Sequence, residues 1–155
     1  MVFTGTYEHA IDSKQRLAIP SRVRAQVQRE LGLGEGDVIR WKVALGPSLL
    51  RLYTVAEFGR IGEELKHSGF DEAFERSFFS KAEEVETDTN GRIRLPELLL
   101  KRSGLAGDVV LLGNNDHLEI RDRAAWAAEE AELYEQRPEL LMNPRQAMRA
   151  AMQGK

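Results

Sequence analysis

The chain has 155 residues, no cysteine and a formal net charge of −3. The length suits one domain, or two small halves sharing one core, and the missing thiols exclude disulfides and thiolate metal sites and fit a reducing cytoplasm. No apolar run approaches the ~18 residues of a membrane span, and Met1 to His9 shows no basic segment ahead of an apolar run, so a soluble cytoplasmic chain with no membrane partner and no signal peptide is expected.

In chain order, Phe3–Ile11 carries Phe, Thr and Tyr and predicts a strand. Asp12–Gln15 reads as a turn, and Leu17-Ala-Ile19 as the returning strand. Pro20 suits a first helical position, because its missing N–H would have no partner there. The helix is predicted to run to about Glu30 and to end at the glycines 32, 34 and 36. Val38–Leu45 and Leu49–Tyr53 predict a hairpin around Gly46-Pro47. From Val55 to Lys81 the pattern is helical: Phe58, Ile61 and Leu65 share one stripe and Phe70, Phe74 and Phe78 another, with Gly69 between them. These Phe residues are expected to pack. A second strand-rich segment follows from Ala82 to Ile120, with a late turn at Asn114-Asn-Asp116. Asp122 can cap a last helix reaching about Gln136, Pro138 stops it, and 139–155 reads as a weakly held tail with room for one helical turn or a partner-binding arm.

The second half repeats the first. Asp12-Ser-Lys-Gln-Arg16-Leu-Ala-Ile-Pro20 returns as Asp88-Thr-Asn-Gly-Arg92-Ile-Arg-Leu-Pro96. Glu8 and Glu84 each stand four residues ahead of the Asp, Gly36-Asp-Val38 recurs as Gly107-Asp-Val109, and Leu50 to Phe58 is answered by Leu118 to Trp126. Two copies are too few for a solenoid, so a paired, pseudo-symmetric fold is expected. Charge follows the repeat. Residues 1–30 hold five Lys/Arg against three acids and 88–102 hold four against two, whereas 57–86 hold four against nine. Such a distribution is compatible with basic loops that meet nucleic acid, and equally with ordinary solvated faces.

The chemistry of Asp-x-x-x-Arg at a turn admits two readings. The Asp can accept backbone N–H groups just ahead of it and fix the loop, leaving the Arg held in a chosen direction, which suits bidentate contact with phosphate or a guanine edge. Alternatively, Asp12–Arg16 and Asp88–Arg92 are ion pairs that close turns. On the first reading the DNA-binding residues are Lys14, Arg16, Arg22, Arg24, Arg92 and Arg94, with Asp12, Asp88 and Gly91 shaping the loops. Gly91 is free to take positive φ. Gln15 stands at the same place in the first loop and, if the loops share a conformation, carries a backbone cost on the order of 1 kcal/mol.

Other chemistry is thin. His9, His67 and His117 have no ligand spacing, so no metal site is expected. The glycines at 32, 34 and 36 lack the ending of a phosphate loop, and Glu83, Glu84 and Glu86 have no accompanying nucleophile. No catalytic constellation or cofactor is read from the chain.

Phe3 to Pro20, the second Asp-Thr-Asn-Gly-Arg-Ile-Arg-Leu-Pro and Val109-Val-Leu-Leu-Gly113 closely resemble the MraZ family, within the AbrB-like (SpoVT-AbrB) swapped-hairpin transcription factors, over roughly residues 2–135. The resemblance implies an α+β fold with a mostly β core: two AbrB-like swapped-hairpin halves forming an internal pseudo-dimeric barrel with peripheral helices. The halves would span 1–54 and 82–137, with a helical insert at 55–81 and a tail at 138–155. It also implies a cytoplasmic, nucleoid-associated regulator of the division and cell-wall gene cluster. Such a regulator assembles into a multi-subunit ring and binds direct repeats in promoter double-stranded DNA. The family's DNA-contacting motif falls on Asp12, Lys14 and Arg16 and on Asp88 and Arg92. Gln15 and Arg121 depart from its usual glycine and aromatic. An antitoxin-type assembly or protein-interaction module is the alternative; it would predict a tail that binds a partner without DNA.

Overall fold

The computed structural model of the chain describes residues 1–154. The fold is α+β, with every strand pairing antiparallel. The first half supplies β1 (Thr6–Ala10), β2 (Arg16–Ala18), β3 (Arg40–Gly46) and β4 (Leu49–Thr54), with α1 (Ser21–Leu31) between β2 and β3. The second half mirrors it with β5 (Glu83–Glu86), β6 (Arg92–Arg94), β7 (Asp108–Asn114) and β8 (His117–Asp122), and with α4 (Glu97–Ser103) after β6. Between the halves lie α2 (Val55–Ser68) and α3 (Glu72–Lys81).

Local chemistry explains the boundaries. Pro20 and Pro96 stand as N-caps in extended backbone rather than as first helical residues, which moves each helix start one position on. Gly32, Gly69 and Gly104 close α1, α2 and α4 in the left-handed conformation that glycine adopts without a Cβ penalty. The β3–β4 hairpin turns through Pro47-Ser48 and the β7–β8 hairpin through Asn115-Asp116, with Ser48 and Asn115 at positive φ. The Thr54 hydroxyl accepts the Glu57 N–H and caps α2, while Asp71 caps α3.

Strand order is where the halves interleave. The six-stranded sheet runs β1-β7-β8-β4-β3-β5, so each half's first strand adds to the other half's hairpin and the two hairpins join through β4 and β8. β2 and β6 leave that sheet to pair with each other in a separate two-stranded ribbon. The pairings among the described residues therefore give an open sheet plus a ribbon, where a barrel was expected. The Asp12 and Asp88 loops turn the chain out of the sheet after β1 and β5.

A single cluster fills the space between ribbon, sheet and helices. Leu17 and Ile93 from the ribbon, Val23 and Val27 from α1, Leu99 from α4, and Trp41, Leu50, Leu52, Leu111, Leu118 and Ile120 from the sheet are all buried in it. Phe3 closes one end, its ring centroid 6.0 Å from that of Trp41. On α2 and α3, rings follow one another from Phe58 through Phe78 and Phe74 to Phe70. The inner rings pack as expected, but Phe70 and Phe74 stay exposed.

From Ala124 on, the chain forms a second compact unit. It holds the greater part of α5 (Arg123–Gln136), a short 3-10 helix Pro138–Leu141 and α6 (Pro144–Gln153). The tail is thus more helical than its composition predicts: Asn143 caps α6 through the Arg145 N–H, and Pro144 opens it.

Candidate nucleic-acid interface

The two repeated loops have one geometry. In the first, Asp12 N–H donates to Arg16 O at 3.0 Å and Gln15 N–H to Asp12 O at 3.0 Å; in the second, Asp88 N–H donates to Arg92 O at 2.8 Å and Gly91 N–H to Asp88 O at 3.0 Å. Asp12 Oδ1 accepts the N–H groups of Lys14 and Arg16, and Asp88 Oδ1 those of Asn90 and Arg92. The other carboxylate oxygen takes the guanidinium Nε four residues on, at 2.8 Å from Arg16 and 3.1 Å from Arg92. Both sequence readings of the motif therefore coexist. The ion pair closes each turn through Nε, and the side chains of Arg16 and Arg92 stay partly exposed, at 30% and 29%.

These hydrogen bonds hold both carboxyls below the usual carboxylate range, the backbone N–H of Arg16 contributing most at Asp12 and that of Arg92 most at Asp88. A depressed folded-state pKa means stability that is present above the unfolded value of about 3.9 and lost as pH falls through the folded one. Acidification from roughly pH 5 to 2 is expected to remove hydrogen-exchange protection at the Lys14, Arg16, Asn90 and Arg92 amides together. Protection that stays constant across that range would show that the carboxylates do not hold the loops.

The ribbon brings the two loops side by side. Arg16 pairs with Arg94, Leu17 with Ile93 and Ala18 with Arg92. Strand alternation sends Leu17 and Ile93 into the core and leaves Arg16, Arg92 and Arg94 on the opposite face, with Ala18. Arg94 is exposed, and its side chain has no hydrogen bond or ion pair to any described residue. Like charges directly across an antiparallel pair oppose folding, so the Arg16–Arg94 register is one the fold alone does not favour. Each loop is also locked by the other half: Leu95 N–H donates to Gln15 O at 2.8 Å and Ile19 N–H to Gly91 O at 2.9 Å.

The remaining sequence candidates lie around this face. Lys14 is exposed at the tip of the first loop, and Arg22 is exposed on the first turn of α1. Arg24 is tied down: its Nε donates to Ile19 O at 3.0 Å, and its guanidinium covers the second loop so closely that a Cβ on Gly91 would lie under 3.0 Å from three of its atoms. Gly91, at φ 74°, thus suits its position twice, by its backbone conformation and by leaving room for the Arg24 guanidinium. Gln15 adopts the same left-handed conformation at φ 65°. The sequence comparison of the two loops exposed that backbone oddity. The Arg16–Arg94 opposition was hidden, since alternation assigns faces but not partners.

A buried polar cluster sits elsewhere, on β8. Burial pushes the Glu119 carboxyl up, but hydrogen bonds from Arg121 Nε at 2.8 Å and Asn114 Nδ2 at 3.0 Å outweigh it and leave it lowered. Arg121 is a partner of Glu119 here, so a charge is accommodated where the resemblance implied an aromatic. No group of three or more His, Asp or Glu residues able to hold a metal is found among the described residues, and no helix among them is long and apolar enough to cross a membrane.

Residues 78–143 match the family described as "MraZ protein, putative antitoxin-like". A protein of Acetivibrio thermocellus called "Transcriptional regulator MraZ" is 33% identical over 129 residues, covering 81% of this chain and 84% of its own length. The chain belongs to the MraZ family. Two further members carry the same description: one from Heliobacterium modesticaldum, 38% identical over 81% of this chain and 85% of its own, and one from Symbiobacterium thermophilum, 38% identical over 84% and 93%. The alignment lengths show that the MraZ relationship extends well beyond the second half matched by the family model.

Proposed function

We propose that this MraZ-family chain is a sequence-specific DNA-binding transcriptional regulator that acts in the cytoplasm at the nucleoid. The observation that carries the reading is the ribbon face, where Arg16 stands directly opposite Arg94 with Arg92 beside them; Asp12 and Asp88 pair with Arg16 and Arg92, and the Arg94 side chain has no partner among the described residues. A two-stranded ribbon of this kind fits a DNA groove, and guanidinium groups suit phosphates and guanine edges. Lys14, Arg22 and Arg24 add cations around it. The relatives' shared description as transcriptional regulators supports the same conclusion.

The interleaved strands support two AbrB-like swapped-hairpin halves, 1–54 and 82–137, making an internal pseudo-dimer, with 55–81 as a helical insert and 138–155 as a tail. Equivalent positions of the repeat face each other at Leu17–Ile93 in the ribbon and at Arg51–Glu119 in the sheet, as a local two-fold axis would place them. We extend the proposal to a ring of subunits on promoter direct repeats of the division and cell-wall gene cluster. In such a ring a modest basic face, repeated on each subunit, gains by effective concentration and overcomes the chain's net charge of −3.

The test is binding of the full chain to the DNA upstream of its own gene, against a scrambled duplex of equal length, over a salt series. Preferential binding that falls steeply with salt is expected. Equal binding to both duplexes would sink the reading. The antitoxin-like description of the family favours one other outcome, a protein-interaction module, which would capture a partner protein and leave both duplexes unbound.

A further inference from the structure

We infer that Gln15 is a specificity-determining residue that reads an adenine edge. This rests on the DNA-binding reading above and deepens it. The two loops share every backbone hydrogen bond, so Gly91 shows what the turn itself requires at this position: a residue that tolerates φ near +70°. Gln15 meets that requirement at φ 65° against a steric penalty that glycine escapes. Strain of this kind persists where the surroundings enforce it, and it clusters at functional sites. Here the enforcing contact is Leu95 N–H on Gln15 O, which fixes the backbone whatever side chain is attached.

The polar end of the side chain is not used by the loop. The Gln15 amide is only partly buried, and neither its oxygen nor its nitrogen has a hydrogen-bond partner among the described residues. It is flanked by Lys14 and Arg16, cations suited to phosphate. A carboxamide carries a donor and an acceptor together, which complements the N6–H2 donor and N7 acceptor of adenine in the major groove. The second loop does not offer the same role. Arg24 occupies the space over Gly91, and a side chain there would have to displace its guanidinium from Ile19 O. The ribbon face matches Arg16 with Arg92 across the repeat, has Arg94 where the first copy has Ala18, and has one such reader, so the site it recognises should lack internal two-fold symmetry.

Selection from a pool of randomised duplexes tests this with the full chain, Gln15→Gly and Gln15→Glu. Both substitutions leave the main-chain loop contacts available, and Gly is the residue the other loop already uses. The full chain is expected to prefer adenine at one position of a non-palindromic motif by about fivefold or more. Gln15→Gly should still bind but lose that preference, and Gln15→Glu should shift it toward cytosine, whose N4 amine donates to a carboxylate. A common motif for all three proteins would overturn the inference while leaving the DNA-binding reading intact. Failure of the full chain to select any sequence would instead remove the reading itself, and the inference with it.

Discussion

Gly113→Ala is expected to destabilise the chain by about 2–4 kcal/mol, read as a lower urea midpoint with an unchanged slope. Gly113 lies in β7, and a Cβ there would fall under 3.0 Å from three backbone atoms of Thr4. Backbone cannot yield as a flexible side chain can, so the N-terminal segment must move. That segment is held by the bond from Gly113 N–H to Gly5 O at 2.8 Å and by the Phe3–Asn115 bridge. It also carries Phe3, which is 2% exposed and packs on Trp41. Displacing it costs hydrogen bonds and a buried aromatic together. Gly59→Ala is the matched control: it is exposed on α2 with no atom within 4 Å of the new Cβ, and should stabilise by about 0.5–1 kcal/mol. Equal effects at the two positions would show that the Thr4 approach does not govern stability.

The contrast between those glycines also marks what the sequence could tell. Gly32 and Gly69 were readable as helix breaks because a left-handed cap is a local requirement, and Gly104 closes α4 in the same way. The repeated Asp loops were readable for the same reason: the Asp, the turn and the Arg lie within five residues, and aligning the copies placed Gln15 at the position of Gly91. Gly113 gave no such signal, because its constraint comes from Thr4 across more than a hundred residues. Arg24 was read as a candidate cation on a helix face, and its second role over Gly91 depends on the two halves interleaving. Helical spacing placed Phe58 on one stripe and Phe70, Phe74 and Phe78 on another, whereas the Phe58–Phe78 contact and the exposure of Phe70 depend on how α2 and α3 pack. Repetition therefore disclosed the halves and their loops. It did not disclose that β2 and β6 would abandon the sheet for each other, since three-residue strands carry too little pattern to choose a partner.

That partner choice produces the sharpest functional expectation. Arg94→Glu should raise fold stability by about 0.2–1 kcal/mol and weaken DNA binding about tenfold or more. The two effects have opposite signs for one reason. In the fold, Arg94 faces Arg16 directly and its side chain has no hydrogen bond or ion pair among the described residues, so replacing it with an acid turns a repulsive cross-strand pair into an attractive one. At the DNA face the same change removes a cation and sets a carboxylate against phosphates. Arg94→Ala separates the contributions: it should relieve the repulsion in part and reduce the salt slope of binding by about one. Arg16→Ala is a less clean probe, because it also releases Asp12 from its 2.8 Å pair and disturbs the loop. A purely structural ribbon would yield a different pattern, with Arg94→Glu gaining stability while affinity and salt slope stayed at the parent values. If Arg94 opposes its own fold and strengthens only the bound state, its partner lies outside the chain, and under the proposed function that partner is DNA phosphate.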